Sequence, residues 1–339
     1  MSQPASHATP RSLAPTRGIP ENSPTPEEED TRGARDDDGY LRLLAKLSRA
    51  SVSKHFDAYV DIDWDDPRFR IDPADPRFCI GENNALGETS WYRALPEREQ
   101  ARLGLHMIAT LMKNGLQFEN VLKRGLLEFT LTLPNRSPEF RYACHEVIEE
   151  AQHSLMFQEF VNRSGIDVPG LPRAILAEGR RVAGLGRRFP ELFFFFVLGG
   201  EDPIDHQQRT YVLAGAQPAH PLVRRVCQLH VMEEARHISF ARAYLRNRVP
   251  RLPARRQLWL KAWTPVLLGQ MARLMMQPSP AMIREFHIPR KVLREAYSNN
   301  PKHRGAVQAA LGKVASLAGD LGLRNGVWNQ PWKLHGLVT

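Results

Sequence analysis

Four stretches of this 339-residue chain place apolar residues every three or four positions, and each stripe is interrupted by glutamate or histidine. An α-helix turns about 100° per residue, so this period puts a whole stripe on one face. The first runs Ile108, Met112, Gly115, Glu119, Leu122, Leu126, Phe129, and Glu119 is its only charge. The second runs Ala143, Val147, Glu150, His153, Phe157, Val161. In the third, Phe194, Val197 and Leu198 lead to Glu201; the fourth runs Val223, Cys227, His230, Glu234, His237, Ala241, Tyr244. Burying a bare carboxylate on such a face costs too much, so each must be paired, protonated or bound to metal. The fold must therefore bring ionisable groups together inside a helical core.

Two of the interruptions are Glu-x-x-His steps, Glu150 to His153 and Glu234 to His237, and His230 lies one turn before the second. With 22 Glu and 12 His in the chain, about one such step is expected by chance, so the spacing alone is weak. The apolar context is what singles these two out. A Glu from each of two helices plus Glu-x-x-His from each of two others is the ligand pattern of ferritin-like dimetal bundles. The expected fold is all-α, a ferritin-like four-helix bundle core with additional flanking helices. The candidate metal ligands are Glu119, Glu150, His153, Glu201, His230, Glu234 and His237. On spacing alone, His230 also fits a core histidine, and Glu119 and Glu201 fit buried hydrogen-bonded carboxylates.

Punctuation residues set the expected elements: helices over 40–55, 96–131, 138–163, 172–187, from Pro190 through Glu201, and from Pro221 to just before Pro250. Two or three amphipathic helices follow, around 258–276, 284–296 and 305–321, while the Asp- and Pro-rich segment 61–84 reads as irregular. Pro203 should kink its helix. The interval between Gly165 and Glu201 supplies the one long crossing of such a bundle. Glu149 and Glu233 have no His three residues on and are placed outside the site. His106, His145 and His206 turn away from the ligand direction, and Asp205, one turn after Glu201, is a candidate to orient a ligand imidazole. Gly115, Gly199 and Gly200 either leave room for substrate or dioxygen or allow close helix packing. The run Phe193–Phe196 reads as core.

Residues 1–38 are rich in Pro, Ser, Thr and Arg with acidic runs and no apolar period, and read as a disordered tail. One domain is expected over 39–325, with a C-terminal tail over 326–339. No secretory h-region is present and the longest apolar run, 192–200, is too short to span a bilayer. Three scattered cysteines give no disulfide framework, and a reducing cytoplasm is the expected compartment. The net charge of +9 comes from dispersed arginine clusters with no nucleic-acid motif, so no nucleic-acid partner is expected; solvated surface, an acidic redox partner or a membrane surface accounts for it.

With Glu119, Glu150-x-x-His153, Glu201 and His230-x-x-x-Glu234-x-x-His237 in order, the chain resembles the p-aminobenzoate N-oxygenase family of AurF-type diiron oxygenases. The segment Leu47-Ser48-Arg49-Ala50-Ser51 through Asp61-Ile62-Asp63-Trp64 and the stretch Gly200-Glu201-Asp202-Pro203 carry further likeness, and the whole covers about residues 40 to 320. The resemblance implies seven ligands including His230, two Fe ions cycling between Fe2+ and Fe3+, and dioxygen as co-substrate. Manganese suits the same donors. It implies that an amine, aryl or related, is oxidised to hydroxylamine, nitroso or nitro product through a peroxo-diferric species. A separate donor, a reductase or ferredoxin, would return the electrons, and a homodimer is implied. Asn114, five residues before Glu119, offers no guanidinium for the carboxylate of p-aminobenzoate itself. The alternatives are a diiron hydroxylase or desaturase acting on carbon, and a ferritin-like iron-binding protein.

Overall fold

A computed structural model describes residues 26–81, 84–215, 218–298 and 300–339, with side chains from residue 37 onward. Twelve α-helices occur among the described residues, and no strand. They are α1 (Pro26–Ser53), α2 (Ser90–Arg93), α3 (Glu97–Thr130), α4 (Pro138–Ser164), α5 (Arg173–Arg188) and α6 (Pro190–Gln207). Then come α7 (Pro221–Arg248), α8 (Ala254–Met276), α9 (Pro280–Glu285), α10 (Arg290–Leu293), α11 (Pro301–Asp320) and α12 (Asn329–Leu334). The bundle and the site lie in the compact unit Tyr40–Thr339.

The long helices begin and end where local chemistry dictates. Proline occupies the first turn of α4, α6 and α7, where its missing N–H costs nothing. Gly165 closes α4 at φ +67°, a conformation that glycine adopts without strain. His220 caps α7 by accepting from the Leu222 N–H through Nδ1.

Four helices, α3, α4, α6 and α7, form the bundle, and its core falls into two apolar layers. One gathers Leu122, Leu126 and Phe129 of α3, Tyr142 and Ala143 of α4, the phenylalanines of α6 and the C-terminal half of α7. The other gathers Ala101 to Met112 of α3, Met156 to Val161 of α4 and Leu222 to Leu229 of α7. The start of α3, the end of α4 and the start of α7 share one layer, so α4 runs antiparallel to α3 and α7. Glu119, Glu150, His153, His230, Glu234 and His237 all fall in the band between the layers. α5 is the crossing segment: it packs along α3 and delivers the chain back to the start of α6. The all-α bundle with one long connection is the architecture expected from the four stripes.

Several differences have plain causes. The helix expected over 40–55 begins earlier, at Pro26, inside the segment read as tail; residues 1–25 lie outside the described ones. The helix expected over 284–296 is two short helices, because His287 takes a positive φ and Pro289 cannot continue α9. Residues 326–339, read as a tail, send Trp332 and Leu337 fully into the main core. The phenylalanines at 193 to 196 are core as expected, with Phe194 set among Phe129, Phe240 and Tyr244. Space beside Gly115 and Gly200 is filled by the rings of Phe157 and Phe118, so these glycines serve close packing. Leu268 and Met271 fill the space at Gly199.

Candidate metal centre

The structure brings all seven sequence-predicted residues together, each at most 3% exposed. Three overlapping groups have side-chain atoms within 4.8 Å of one another: Glu150, His153, Glu234 and His237; Glu119, His153 and His230; Glu201, His230 and Glu234. Glu234 lies at the middle. Its Oε1 is 3.3 Å from His153 Nδ1, 3.3 Å from His237 Nδ1 and 3.4 Å from His230 Nε2. Glu150 faces two of the rings, with Oε2 3.3 Å from His153 Nδ1 and Oε1 3.0 Å from His237 Nδ1. Glu119 Oε1 approaches His230 Nε2 at 3.7 Å. His106, His145 and His206 belong to none of these groups.

Each imidazole turns one nitrogen to the cluster and has the other held from behind. His153 Nε2 donates to Glu233 Oε2 at 3.0 Å, His237 Nε2 to Glu149 Oε2 at 2.8 Å, and His230 Nδ1 to Gln208 Oε1 at 2.9 Å. A carboxylate or amide oxygen there can only accept, so the outer nitrogen carries the proton. In the neutral ring the inner nitrogen then presents its lone pair to a metal, the arrangement by which outer groups orient ligand imidazoles.

Glu149 and Glu233, set aside in the sequence, are thus part of the site's support although they belong to none of the three groups. The support is reciprocal: Glu149 of α4 holds the histidine of α7, and Glu233 of α7 holds the histidine of α4. Arg236 Nη2 joins them, 2.9 Å from Glu149 Oε1 and 3.2 Å from Glu233 Oε1. The backbone N–H of Phe56 donates to Glu233 Oε1 at 3.1 Å, and that of Ala58 to Gln152 Oε1 at 3.0 Å, so the segment before Trp64 seals this side. Asp205 does not orient a ring; it pairs with Arg209 at 2.6 Å, and Gln208, one turn further along the same face, takes that task. On the opposite side Lys123 Nζ donates to Ser154 Oγ at 2.6 Å, and Ser154 Oγ donates to Glu119 Oε2 at 2.9 Å. Asp202 ties α6 to Arg242 of α7.

The protonation pattern follows from burial and neighbours. Burial lifts Glu201 well above the ordinary carboxylate range, and the charges of Glu234 and Glu150 add to it. Burial likewise raises Glu119, with the His230 hydrogen bond opposing. For Glu234 burial acts upward but His237 and His230 outweigh it, holding the carboxyl well below its usual value. His153 and His237 are raised well above 6.5: burial acts against the charged ring, and the surrounding glutamates overcome it. A metal bound among these groups would displace the protons they hold.

Donor chemistry fits a pair of divalent ions. Four carboxylates and three imidazoles carry four negative charges when the carboxylates ionise, enough to neutralise two such ions. Nitrogen and oxygen donors without thiolate suit iron or manganese. Several of these buried atoms crowd together without forming a hydrogen bond, just where ligands are needed: both oxygens of Glu234, Oε1 of Glu150, Oε1 of Glu201 and Nδ1 of His237. Polar atoms so placed are normally satisfied.

The family described as P-aminobenzoate N-oxygenase AurF matches residues 37–322. The chain belongs to that family. Membership makes it a diiron-family oxygenase at that level of description. The relatives include the "Uncharacterized protein Rv0885" of Mycobacterium tuberculosis and the "Uncharacterized protein Mb0909" of Mycobacterium bovis. Each is 41% identical over 299 residues, covering 88% of both chains. No solved structure matches the chain. Among the described residues no helix is long and apolar enough to cross a membrane.

Proposed function

We propose that Glu119, Glu150, His153, Glu201, His230, Glu234 and His237 hold two iron ions, and that the protein uses dioxygen to oxidise the nitrogen of an amine. The observation that carries this reading is the set of fully buried carboxylate and imidazole atoms that converge around Glu234 without hydrogen-bonding to one another. Family membership supplies the reaction type. Bound iron would supply the redox chemistry that activates dioxygen.

The chain's own residues do the rest. Glu233, Glu149 and Gln208 keep the outer nitrogens protonated, so the inner nitrogens of all three rings stay available as donors. Glu150 and Glu234 each face more than one histidine and are the residues able to serve both ions. Ser154 fixes one oxygen of Glu119 and leaves the other toward His230. The Phe157 ring, centred 5.0 Å from that of His230, sets an apolar face against that imidazole. The substrate class is a small amine, aryl or related.

The test is metal loading followed by turnover. Metal-free protein is loaded anaerobically with ferrous iron, its iron counted, and oxygen uptake followed with a panel of arylamines whose products are identified by mass spectrometry. Two irons per chain and N-oxidised products are expected. Glu150→Ala, His153→Ala, Glu234→Ala and His237→Ala should each lower the iron count, and retention of two irons in all four refutes the assignment. Products oxidised only at carbon would replace amine oxidation with a hydroxylase or desaturase. Accumulation of iron far beyond two ions, without substrate-dependent oxygen uptake, would replace it with iron storage.

A further inference from the structure

Where α3 meets α5, an open groove of about 350 Å³ is lined by Arg124, Arg173, Leu176, Ala177 and Arg180. Its three guanidinium groups have no ion-pair partner among the described residues, whereas nearby Arg181 and Arg187 are paired with Glu178 and Glu128. Like charges gathered on one surface repel each other, and an anionic surface laid against them relieves that repulsion. Leu176 in the groove is 36% exposed, and Leu127, one turn beyond Arg124, is 49% exposed. Leu176 and Ala177 lining the groove beside the three arginines give the mixed apolar and basic make-up of a small, transient docking surface. All three arginines are exposed. They are poorly placed to enclose a small anion and well placed to meet a protein.

The groove's position bears on the role of a protein docked there. Arg124 directly follows Lys123, whose Nζ donates to Ser154 Oγ at 2.6 Å and to the carbonyl of Glu150 at 3.2 Å. Ser154 Oγ in turn donates to Glu119 Oε2 at 2.9 Å. One peptide link, one lysine side chain and two hydrogen bonds therefore join the rim of the groove to the buried cluster. Resting on the metal-pair reading above, we infer that the groove docks an acidic one-electron carrier, a small iron–sulfur protein whose negative face meets Arg124, Arg173 and Arg180. Its electrons enter on the side of Lys123, Ser154 and Glu119. Each docking oxidises one carrier by one electron and reduces one ferric ion to ferrous, so two dockings restore the pair, and no covalent bond forms or breaks.

The test uses the full chain and a plant-type ferredoxin as an acidic probe. Binding of oxidised ferredoxin to the metal-free chain is measured by calorimetry over a salt series. The rate at which reduced ferredoxin bleaches the oxidised, iron-loaded chain is then followed anaerobically, with dithionite as a chemical reductant for comparison. Arg124→Gln/Arg173→Gln/Arg180→Gln should weaken ferredoxin binding at least tenfold at low ionic strength, flatten the salt dependence and slow carrier-driven bleaching by a similar factor. Bleaching by dithionite should be unchanged. An equal loss of charge elsewhere, Arg290→Gln/Lys291→Gln/Arg294→Gln, should alter binding less than twofold.

The inference is overturned if wild-type protein does not bind the ferredoxin, if the groove variant binds as wild type does, or if the control variant loses as much. Loss of binding to phosphatidylglycerol vesicles in the groove variant, with ferredoxin binding intact, would reassign the groove to a membrane surface and also overturn it. Should dithionite itself produce no metal-dependent bleaching, the metal-pair reading fails, while the calorimetric arm still reports separately on the groove.

Discussion

Replacing Arg236 by Met removes the one cation shared by Glu149 and Glu233. Arg236 is 8% exposed and the two carboxylates 2% and 1%, so the contacts at 2.9 and 3.2 Å are nearly free of solvent screening. The Glu149 carboxyl sits at about 2: burial pushes it up, but the hydrogen bond and charge of His237, then those of Arg236, prevail. A depression from 4.5 to about 2 is a contribution of roughly 3 kcal/mol at neutral pH, fully present above the unfolded value and lost as pH falls toward 2. Removing one partner of a buried pair costs about 3–5 kcal/mol. Both carboxylates keep a histidine, and Glu233 keeps the Phe56 N–H, so the expected loss is at the lower end, about 3 kcal/mol. Denaturant unfolding of the metal-free protein at pH 7 measures it. The same substitution loosens the carboxylates that aim His153 and His237, so affinity for ferrous ion, measured against a competing chelator, should drop about 10–100-fold. Arg236→Met/Glu149→Gln/Glu233→Gln relieves the uncompensated charge and should recover stability without recovering affinity. If Arg236→Met shifts stability by less than about 1 kcal/mol and leaves metal affinity within threefold, the clamp contributes nothing and the reasoning fails.

Two further outcomes follow from the same structure. Burial raises the unpartnered Glu146 to about 8, so metal-free wild-type protein should lose stability relative to Glu146→Gln as pH rises from about 4.5 to about 8, by about 1.4 kcal/mol per pH unit; parallel stability–pH curves for the two proteins would disprove this. At Gly200 an added Cβ would lie 1.9 Å from the Phe118 ring, so Gly200→Ala should cost about 1–3 kcal/mol in denaturant unfolding, and more than Gly115→Ala, where the gap is 3.1 Å; equal effects would show that helix spacing at the centre is not set by Phe118.

Apolar stripes were enough to place the four bundle helices, because residues sharing one buried face at a period of three or four have few other folds open to them. Starts and stops at Pro138, Gly165, Pro190 and Pro221 were legible for a local reason: proline and glycine act on their own backbone. Segments whose order depends on distant partners were not legible. Trp332 and Leu337 are buried only because distant parts of the main core, α8 among them, offer an apolar surface, and nothing in their immediate neighbours announces it. Likewise α9 and α10 replace one expected helix, since an amphipathic pattern does not show where a single residue such as His287 will turn the backbone.

The candidate ligands were legible because each breaks an apolar stripe, whereas their support was hidden because it acts across helices. Glu149 and Glu233 were judged by what stands three residues on in the same helix, and their real partners are the histidines of the opposite one. A signal for them did exist. The segments Glu149-Glu150-Ala151-Gln152-His153 and Glu233-Glu234-Ala235-Arg236-His237 are the same pentapeptide but for one residue. Two antiparallel helices carrying one such motif each meet face to face, so the first Glu of one falls beside the His of the other. The position at which the copies differ decides the rest. Arg236 balances both outer carboxylates, and Gln152 at the equivalent place is free to accept the Ala58 N–H and anchor the segment that covers them. A second arginine at 152 would put two cations beside two anions already served by one, and would remove the acceptor for the Ala58 N–H. The asymmetry of an otherwise repeated motif is thus what lets a single guanidinium and a single covering strand of chain close the site.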